Sequence, residues 1–144
     1  MQIDFYVMED ANRMAALREL CLLLEAPYAQ QQPIYIHTAS AADADQIDKL
    51  LWTYRDDSFL AHQISGASDS AAPIEIGVAE NTPRTTEILV NLSNQIPAFY
   101  QQFKRVIEIV FADPAVQQNA RDRFRQYREH GCELNTHKMK VKPT

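Results

Sequence analysis

The sequence predicts an α/β fold, in which a mostly parallel sheet is covered by helices on both faces. Two observations predict it: short apolar runs rich in β-branched residues recur along the chain, and segments with apolar residues at helical spacing separate most of them. This alternation is typical of parallel sheets, because a crossover between parallel strands needs a connection long enough for a helix. With 144 residues, 46% of them hydrophobic, the chain is long enough for one domain with a sizeable core.

The individual elements follow from these two patterns. Apolar runs predict strands at Ile3–Met8, Ile34–Thr38, Phe59–Ile64, Ile74–Val78, Glu87–Leu92 and Arg105–Phe111, the last of them being the final strand. Helical spacing predicts helices from about Met14 to Ala26, from Ser40 to about Trp52, over a short stretch opened by Pro97, and from Asp113 to Gly131. We expect Pro27 to end the first helix and Ser40 to cap the second. Residues 1–138 are expected to form a single domain, with a surface loop at Ser65–Ala72, and residues 139–144 a tail without regular structure.

The helix from Asp113 to Gly131 gives the clearest binding signal. Asp113 can cap it, Pro114 fits its first position, and Gly131 fits its left-handed end. Its apolar stripe comprises Val116, Ala120, Phe124 and Tyr127, and its arginines are Arg121, Arg123, Arg125 and Arg128. From Pro114 onward there are seven basic and three acidic residues, a net of +4, whereas residues 1–113 carry seven basic and sixteen acidic residues, a net of −9. On charge alone two interpretations stay open: an anion-binding helix, or a solvated helix whose arginines pair with carboxylates of the acidic body.

Nucleotide binding is not expected. The chain has three glycines, Gly66, Gly77 and Gly131, from which neither GxGxxG nor GxxxxGK[ST] can be built. A parallel sheet binds its ligand at the carboxyl ends of the strands. There the first turn has Glu9 and Asp10, so a phosphate would meet carboxylates where it needs backbone N–H groups. We therefore predict neither a nucleotide site nor a cofactor.

Composition and motifs argue against several other classes. An isoelectric point near 5.3 disfavours general binding to duplex DNA, because an acidic body repels phosphate. The four histidines are scattered, without metal-ligand spacing on one helix, so no metal is expected. Cys21 and Cys132 form no CxxC motif and are expected to be reduced thiols, with Cys21 in the core. No apolar run approaches the length that spans a membrane and no signal peptide is evident, which predicts a cytoplasmic protein.

One enzyme-like alternative is a receiver-like or small-ligand-binding α/β domain. Receiver domains have an acidic pair after the first strand, as Glu9 and Asp10 are here. They also need an aspartate at the end of a central strand and a lysine after the last one. The last predicted strand runs into Phe111–Pro114 without a lysine, and neither Ile74–Val78 nor Glu87–Leu92 ends in aspartate. These departures argue against the alternative.

Five sequence blocks occur in an order that points to a known family. They are Phe5-Tyr6, Asp48–Trp52 (DKLLW), Ser58-Phe59 followed by His62, Ala72–Ile76 (APIEI) and Ala120–Thr136 (ARDRFRQYREHGCELNT). Together they resemble the chi subunits of bacterial DNA polymerase III holoenzyme, whose C-terminal block reads much like AR-x-R-[YF]-x-x-Y-R-x-x-G-x-x-L-N-T. The resemblance covers nearly the whole chain, and departs from the family at the glycine-poor loop Ser65–Ala72 and at the C-terminal tail.

The resemblance implies a Rossmann-like fold without a nucleotide site and a non-catalytic role in DNA replication. Chi subunits join the psi subunit of the clamp loader to the acidic C-terminal tail of the single-stranded-DNA-binding protein. No direct nucleic-acid binding is expected here, because the body carries −9 and the basic segment only +4. The peptide-binding residues that the resemblance implies are Arg121, Phe124, Arg128, Phe59, Val110, Trp52 and Gln117. Gln117 stands where the family pattern suggests lysine, and Phe124 where tyrosine is common. An acidic tail ending in phenylalanine requires arginines beside an apolar pocket.

A second group of residues is a candidate for the psi interface. The short predicted helix after Pro97 concentrates more aromatic surface than an exposed helix needs. Its apolar residues are Ile96, Phe99, Tyr100 and Phe103. They are expected either to pack against the sheet or to contact psi.

Overall fold

The structure, a computed structural model, describes residues 1–9, 13–53, 62–64, 73–78 and 86–140. Within these ranges the strands are β1 (Gln2–Glu9), β2 (Ile34–His37), β3 (His62–Ile64), β4 (Ile74–Gly77), β5 (Ile88–Asn91), β6 (Arg105–Val110) and β7 (Glu133–Lys140). The helices are α1 (Arg13–Ala29), α2 (Ala41–Thr53) and α3 (Pro114–Glu129), and a 3-10 turn covers Tyr100–Gln102.

The described strands form one sheet in the order β3-β4-β2-β5-β6-β1-β7, and each neighbouring pair is parallel. The predicted α/β fold is confirmed. Every residue of β2, β4 and β5 is buried, which explains why these strands appear in the sequence as continuous apolar runs without alternation.

Helices pack on both faces of the sheet. On one face α1 and α2 bury side chains such as Leu20, Leu24 and Ile47 against the isoleucines of β2, β4 and β6. On the other face Ala120 and Tyr127 of α3, together with the 3-10 turn, cover Phe5 and the neighbouring side chains of β1, β5 and β6. Cys21 lies in the first of these two cores, as predicted.

The predicted end of the first helix is wrong. Pro27 lies inside α1, where it is buried, and the helix continues to Ala29. A proline so close to the end removes only one backbone hydrogen bond. The helix is terminated instead by Gln31, which lies two residues past Ala29 and has a left-handed φ of 60°. There the N–H of Gln32 donates to the carbonyl of Pro27 and that of Gln31 to the carbonyl of Tyr28, both at 3.0 Å, which is the Schellman arrangement.

The prediction that Arg105–Phe111 is the final strand is also wrong, because β7 follows α3. Gly131, at φ 79°, reverses the chain, and β7 then pairs with β1 from Gln2 opposite Glu133 to Glu9 opposite Lys140. β7 is an edge strand whose side chains from Glu133 to Met139 are exposed or half-buried, so it lacks an apolar alternation. It includes two residues of the expected tail; residues 141–144 lie outside the described ranges, as does the predicted loop at 65–72.

The two predicted caps are confirmed. The Ser40 hydroxyl oxygen accepts a hydrogen bond from the Asp43 N–H at 3.2 Å. The Asp113 carboxylate accepts one from the Val116 N–H at 3.1 Å, with Pro114 in the first turn. The cap at Asp113 fixes where α3 begins, and therefore which of its side chains face the sheet.

Candidate functional site

A pocket of about 440 Å³ opens between α3 and the sheet edge formed by β6, β1 and β7. Its lining residues come from all four elements and are mainly apolar, with a basic side chain on each of two elements. They are Phe5, Val7, Val110, Gln117, Ala120, Arg121, Phe124, Thr136 and Lys138. The described part of the chain thus has a concave apolar surface beside the basic helix that the sequence singled out.

Strand register produces the floor of this pocket, from β1 and β6, and one of its walls, from the edge strand β7. Val7 lies opposite Val110 on one side and opposite Lys138 on the other, and Phe5 lies opposite Thr136. Because side chains alternate between the faces of a sheet, these five residues share the face that α3 covers. The pocket is the part of this face that the helix does not fill.

Helical spacing produces the opposite wall. Gln117, Ala120, Arg121 and Phe124 lie at i, i+3, i+4 and i+7, so they share one face of α3. The ring of Phe124 packs against that of Phe5, with centroids 5.3 Å apart and a tilt of 56°. This contact joins the helix wall to the floor and gives the pocket an aromatic corner.

A neighbouring arginine of α3 points into the protein instead. The Arg123 guanidinium donates from Nε to Oε1 of Glu108 at 3.1 Å, and neither side chain is more than 6% exposed. Tyr127 and Asn91 donate to the other carboxylate oxygen at 2.7 Å and 2.9 Å. Burial raises the pKa of Glu108, against the opposing effects of the Arg123 charge and these hydrogen bonds. This buried cluster attaches α3 to β6, two residues along the strand from Val110 of the pocket.

The remaining arginines of α3 lie at the surface. Arg125 is close to Asp122, with 3.5 Å between Nη2 and Oδ1. Arg121 and Arg128 are exposed, and neither belongs to an ion pair among the described residues. The pairing interpretation therefore holds for Arg123, which pairs with Glu108 of the body. Arg121 lies at the pocket without an ion pair among the described residues, and anion binding by it stays a prediction.

Four of the seven residues predicted to bind the peptide meet in the pocket: Val110, Gln117, Arg121 and Phe124. Arg128 lies one turn beyond Phe124 and does not line it. Trp52 is 55% exposed at the end of α2, which packs on the opposite face of the sheet, so the structure does not bring it to the pocket. Phe59 lies outside the described residues.

Sequence reasoning missed five lining residues. Phe5 and Val7 alternate along β1, but that pattern does not say which face holds a pocket. Ala120 was recognised only as part of the apolar stripe. Thr136 and Lys138 were missed because β7 was not predicted, and only its register with β1 brings them to this face.

The four residues proposed for the psi interface are mainly core. Tyr100 is 5% exposed and Phe103 is 2% exposed, and both pack against the sheet. The hydroxyl of Tyr100 lies 2.7 Å from Nδ1 of His130, just after α3. Ile96 and Phe99 are half-buried against the same core. Tyr100 and Phe103 therefore form no exposed patch, and the predicted short helix is only the 3-10 turn.

No group of three or more potential metal ligands occurs among the residues that the structure describes. In that same part of the chain, no helix is both long and apolar enough to cross a membrane. Residues 10–12, which connect β1 to α1, lie outside the described ranges, so the absence of a nucleotide site stays a prediction.

Comparison with known proteins identifies close relatives over nearly the whole chain. A family model described as "DNA polymerase III chi subunit, HolC" matches residues 1–135. DNA polymerase III subunit chi of Pseudomonas aeruginosa is 36% identical over 138 residues, which cover 96% of each chain. The chi subunit of Haemophilus influenzae is 30% identical over 135 residues, covering 92% of this chain and 94% of that one. The chi subunit of Escherichia coli K12 is 25% identical over 138 residues, again covering 92% and 94%.

A solved structure with a similar fold is that of T4 UvsW. The TM-score is 0.68 at 7% sequence identity, and the match covers 96% of this chain but 41% of the T4 chain. At this identity the similarity concerns the fold alone.

Proposed function

Because the chain belongs to the DNA polymerase III chi subunit family, we propose that it acts as a non-catalytic bridge between two other replication proteins. As a chi subunit it is an accessory subunit of the polymerase holoenzyme in DNA replication. The proposed partners are the psi subunit of the clamp loader and the acidic C-terminal tail of the single-stranded-DNA-binding protein, and the proposed compartment is the cytoplasm. Family membership leaves the receiver-like alternative without support.

The observation that supports tail binding is the pocket with Arg121 on its helix wall. An acidic peptide ending in phenylalanine has an aromatic ring and carboxylates close together. The ring matches the apolar floor and the Phe124 corner, and a carboxylate can accept hydrogen bonds from the Arg121 guanidinium. Such a pairing of an apolar slot with an unpaired arginine gives affinity and a preference for acidic sequences.

The local charge supports the same ligand. The segment from Pro114 onward has a net charge of +4, although the whole chain has −5. An acidic peptide is therefore attracted to the helix and β7 while the rest of the surface repels it. This restricts productive binding to the pocket side of the molecule.

The proposal is tested by titrating the protein with a labelled, aspartate-rich peptide that ends in phenylalanine. Arg121→Ala should weaken binding about tenfold or more, because it removes a charge-assisted contact. Arg125→Ala is the matched control, since this exposed arginine of the same helix lies near Asp122 and does not line the pocket. It should bind as wild type does.

The same variants test the bridge. Both should still bind psi, because the proposed bridge needs two separate surfaces, and circular dichroism should show both folded. Wild-type affinity of folded Arg121→Ala for the peptide would contradict tail binding at this pocket. Competition between psi and the peptide for the protein would contradict the bridge.

A further inference from the structure

We infer that Lys138 of β7 is a second cationic contact for the acidic peptide, facing Arg121 across the pocket. This inference rests on the proposed function and adds to it how the ligand is held. It assigns to the edge strand a share of the charge contacts, which the sequence analysis predicts only for arginines of α3. It also predicts that the peptide carboxylates lie between two walls, one from α3 and one from β7.

Register determines the position of Lys138. It pairs with Val7, which lines the pocket floor, and it is two residues from Thr136, which pairs with Phe5. Thr136 and Lys138 therefore point to the same face of the sheet as the floor residues. Lys138 is exposed, so its ammonium group is hydrated and free to move over the pocket.

The charge of Lys138 is available for a ligand. Among the described residues, the ion pairs formed by lysine and arginine are Arg13–Asp43, Lys49–Asp45, Lys104–Glu87, Arg105–Asp4, Arg123–Glu108 and Arg125–Asp122. None of them includes Lys138 or Arg121, the two cations that line the pocket. A pocket with two cations that have no carboxylate partner in the described part of the chain favours a ligand with more than one carboxylate.

The helix wall does not supply this second charge. Besides Arg121, its polar lining residue is Gln117, which is neutral. Two cations on one helix face would align the acidic groups of a peptide along α3. Here the cations lie on different elements, so the peptide backbone is expected to run across the pocket, from helix to strand.

Contacts on the other face of the sheet hold β7 in place for this role. His137, between the two lining residues of β7, stacks on Tyr6 with ring centroids 4.7 Å apart. Its Nε2 lies 3.3 Å from Oδ1 of the buried Asp4. These contacts join the edge strand to β1, and so keep Thr136 and Lys138 over the floor. The strand is thus anchored by one face and available to a ligand on the other.

The experiment compares peptide affinities of full-length Lys138→Gln, Lys138→Glu and the matched control Lys104→Gln. Lys104 is an exposed lysine that immediately precedes β6, whereas Val110 of the pocket is the last residue of that strand. Its Nζ lies 2.9 Å from Oε1 of Glu87. Lys138→Gln should weaken binding about three- to fivefold, as expected for an exposed ion pair. Lys138→Glu should weaken it further by repulsion, and Lys104→Gln should have no effect.

A rescue separates a charge contact from a structural effect. Gln117→Lys returns a cation to the pocket from the helix wall, so adding it to Lys138→Gln should recover most of the lost affinity. If Lys138→Gln binds as wild type does while Arg121→Ala does not, the inference fails and the proposed function stands. If neither variant changes the affinity, both fail. A loss in Lys138→Gln that Gln117→Lys cannot restore also overturns the inference, because the lysine would then act through the structure of β7.

Discussion

At the scale of the residue, α3 shows how similar side chains acquire different roles. Arg121 and Arg123 are two positions apart, and helical geometry directs them to different surroundings. Arg123 is buried with Glu108, whereas Arg121 lies at the pocket without an ion-pair partner among the described residues. Charge along the sequence predicted that the helix binds anions or pairs with the body, but not which arginine does which. That distinction depends on Glu108, which is hidden within the apolar run of β6.

Arg123→Ala should destabilise the fold strongly. The substitution leaves the Glu108 carboxylate buried without its ion-pair partner, which costs about 3–5 kcal/mol of the free energy of unfolding. Arg125→Ala, at an exposed pair, should change it by less than about 0.5 kcal/mol. Urea denaturation measures both. A double variant, Arg123→Met with Glu108→Gln, should be less destabilised than Arg123→Ala. Similar stability of Arg123→Ala and Arg125→Ala would show that the buried pair contributes little.

At the scale of the element, the predictable parts of the fold are those with a single dominant pattern. The buried strands appear as apolar runs, and α2 and α3 have both helical spacing and a capping side chain, so these elements were predicted within a few residues. The end of α1 was predicted wrongly, because a proline in the last turn is tolerated when Gln31 adopts a left-handed conformation. β7 was not predicted, because an edge strand needs no apolar alternation. Two of the nine residues that line the pocket, Thr136 and Lys138, were missed with it.

The attachment of β7 and β6 to β1 should depend on acid pH through Asp4. Burial would raise its pKa, but hydrogen bonds from Arg105, Gln2 and His137, with the Arg105 charge, outweigh burial and lower it. A carboxyl group whose pKa is lowered in the folded state stabilises that state at pH values above its ordinary pKa of 3.8. This contribution to stability is lost as the pH falls through the lowered pKa of the folded state. Asp4→Asn should therefore be less stable than wild type at neutral pH.

The difference in unfolding free energy between wild type and Asp4→Asn should shrink as the pH falls below 3.8. Urea denaturation over a pH series measures it. The control is Asp43→Asn, which affects an exposed ion pair with 3.7 Å between Nη2 of Arg13 and Oδ1 of Asp43. This substitution should alter the free energy of unfolding little at any pH. A difference for Asp4→Asn that stayed constant to the lowest pH would mean that this carboxylate does not titrate in that window.

At the scale of the whole molecule, charge is divided unevenly between the sheet body and its last helix and strand. Residues 1–113 carry −9 and the remainder +4, so the distant field is negative while the pocket side is locally basic. A long polyanion such as single-stranded DNA extends beyond the basic region and meets the acidic body. A short acidic peptide fits within the basic region, since screening limits charge effects to about 8 Å at physiological salt. This charge distribution favours a short acidic peptide over single-stranded DNA as a ligand.

The last prediction follows from this size difference. The protein alone should not bind a labelled single-stranded oligonucleotide at physiological salt, while it binds the acidic peptide under the same conditions. Raising the salt concentration should weaken peptide binding, and less steeply for Arg121→Ala, because the contact that this variant lacks is ionic. Fluorescence anisotropy with both ligands measures these effects, and Arg125→Ala should keep the wild-type salt dependence. Oligonucleotide binding as tight as peptide binding would show that the acidic body does not exclude nucleic acid. Equal salt dependence of wild type and Arg121→Ala would show that the pocket arginine makes no ionic contact with the peptide.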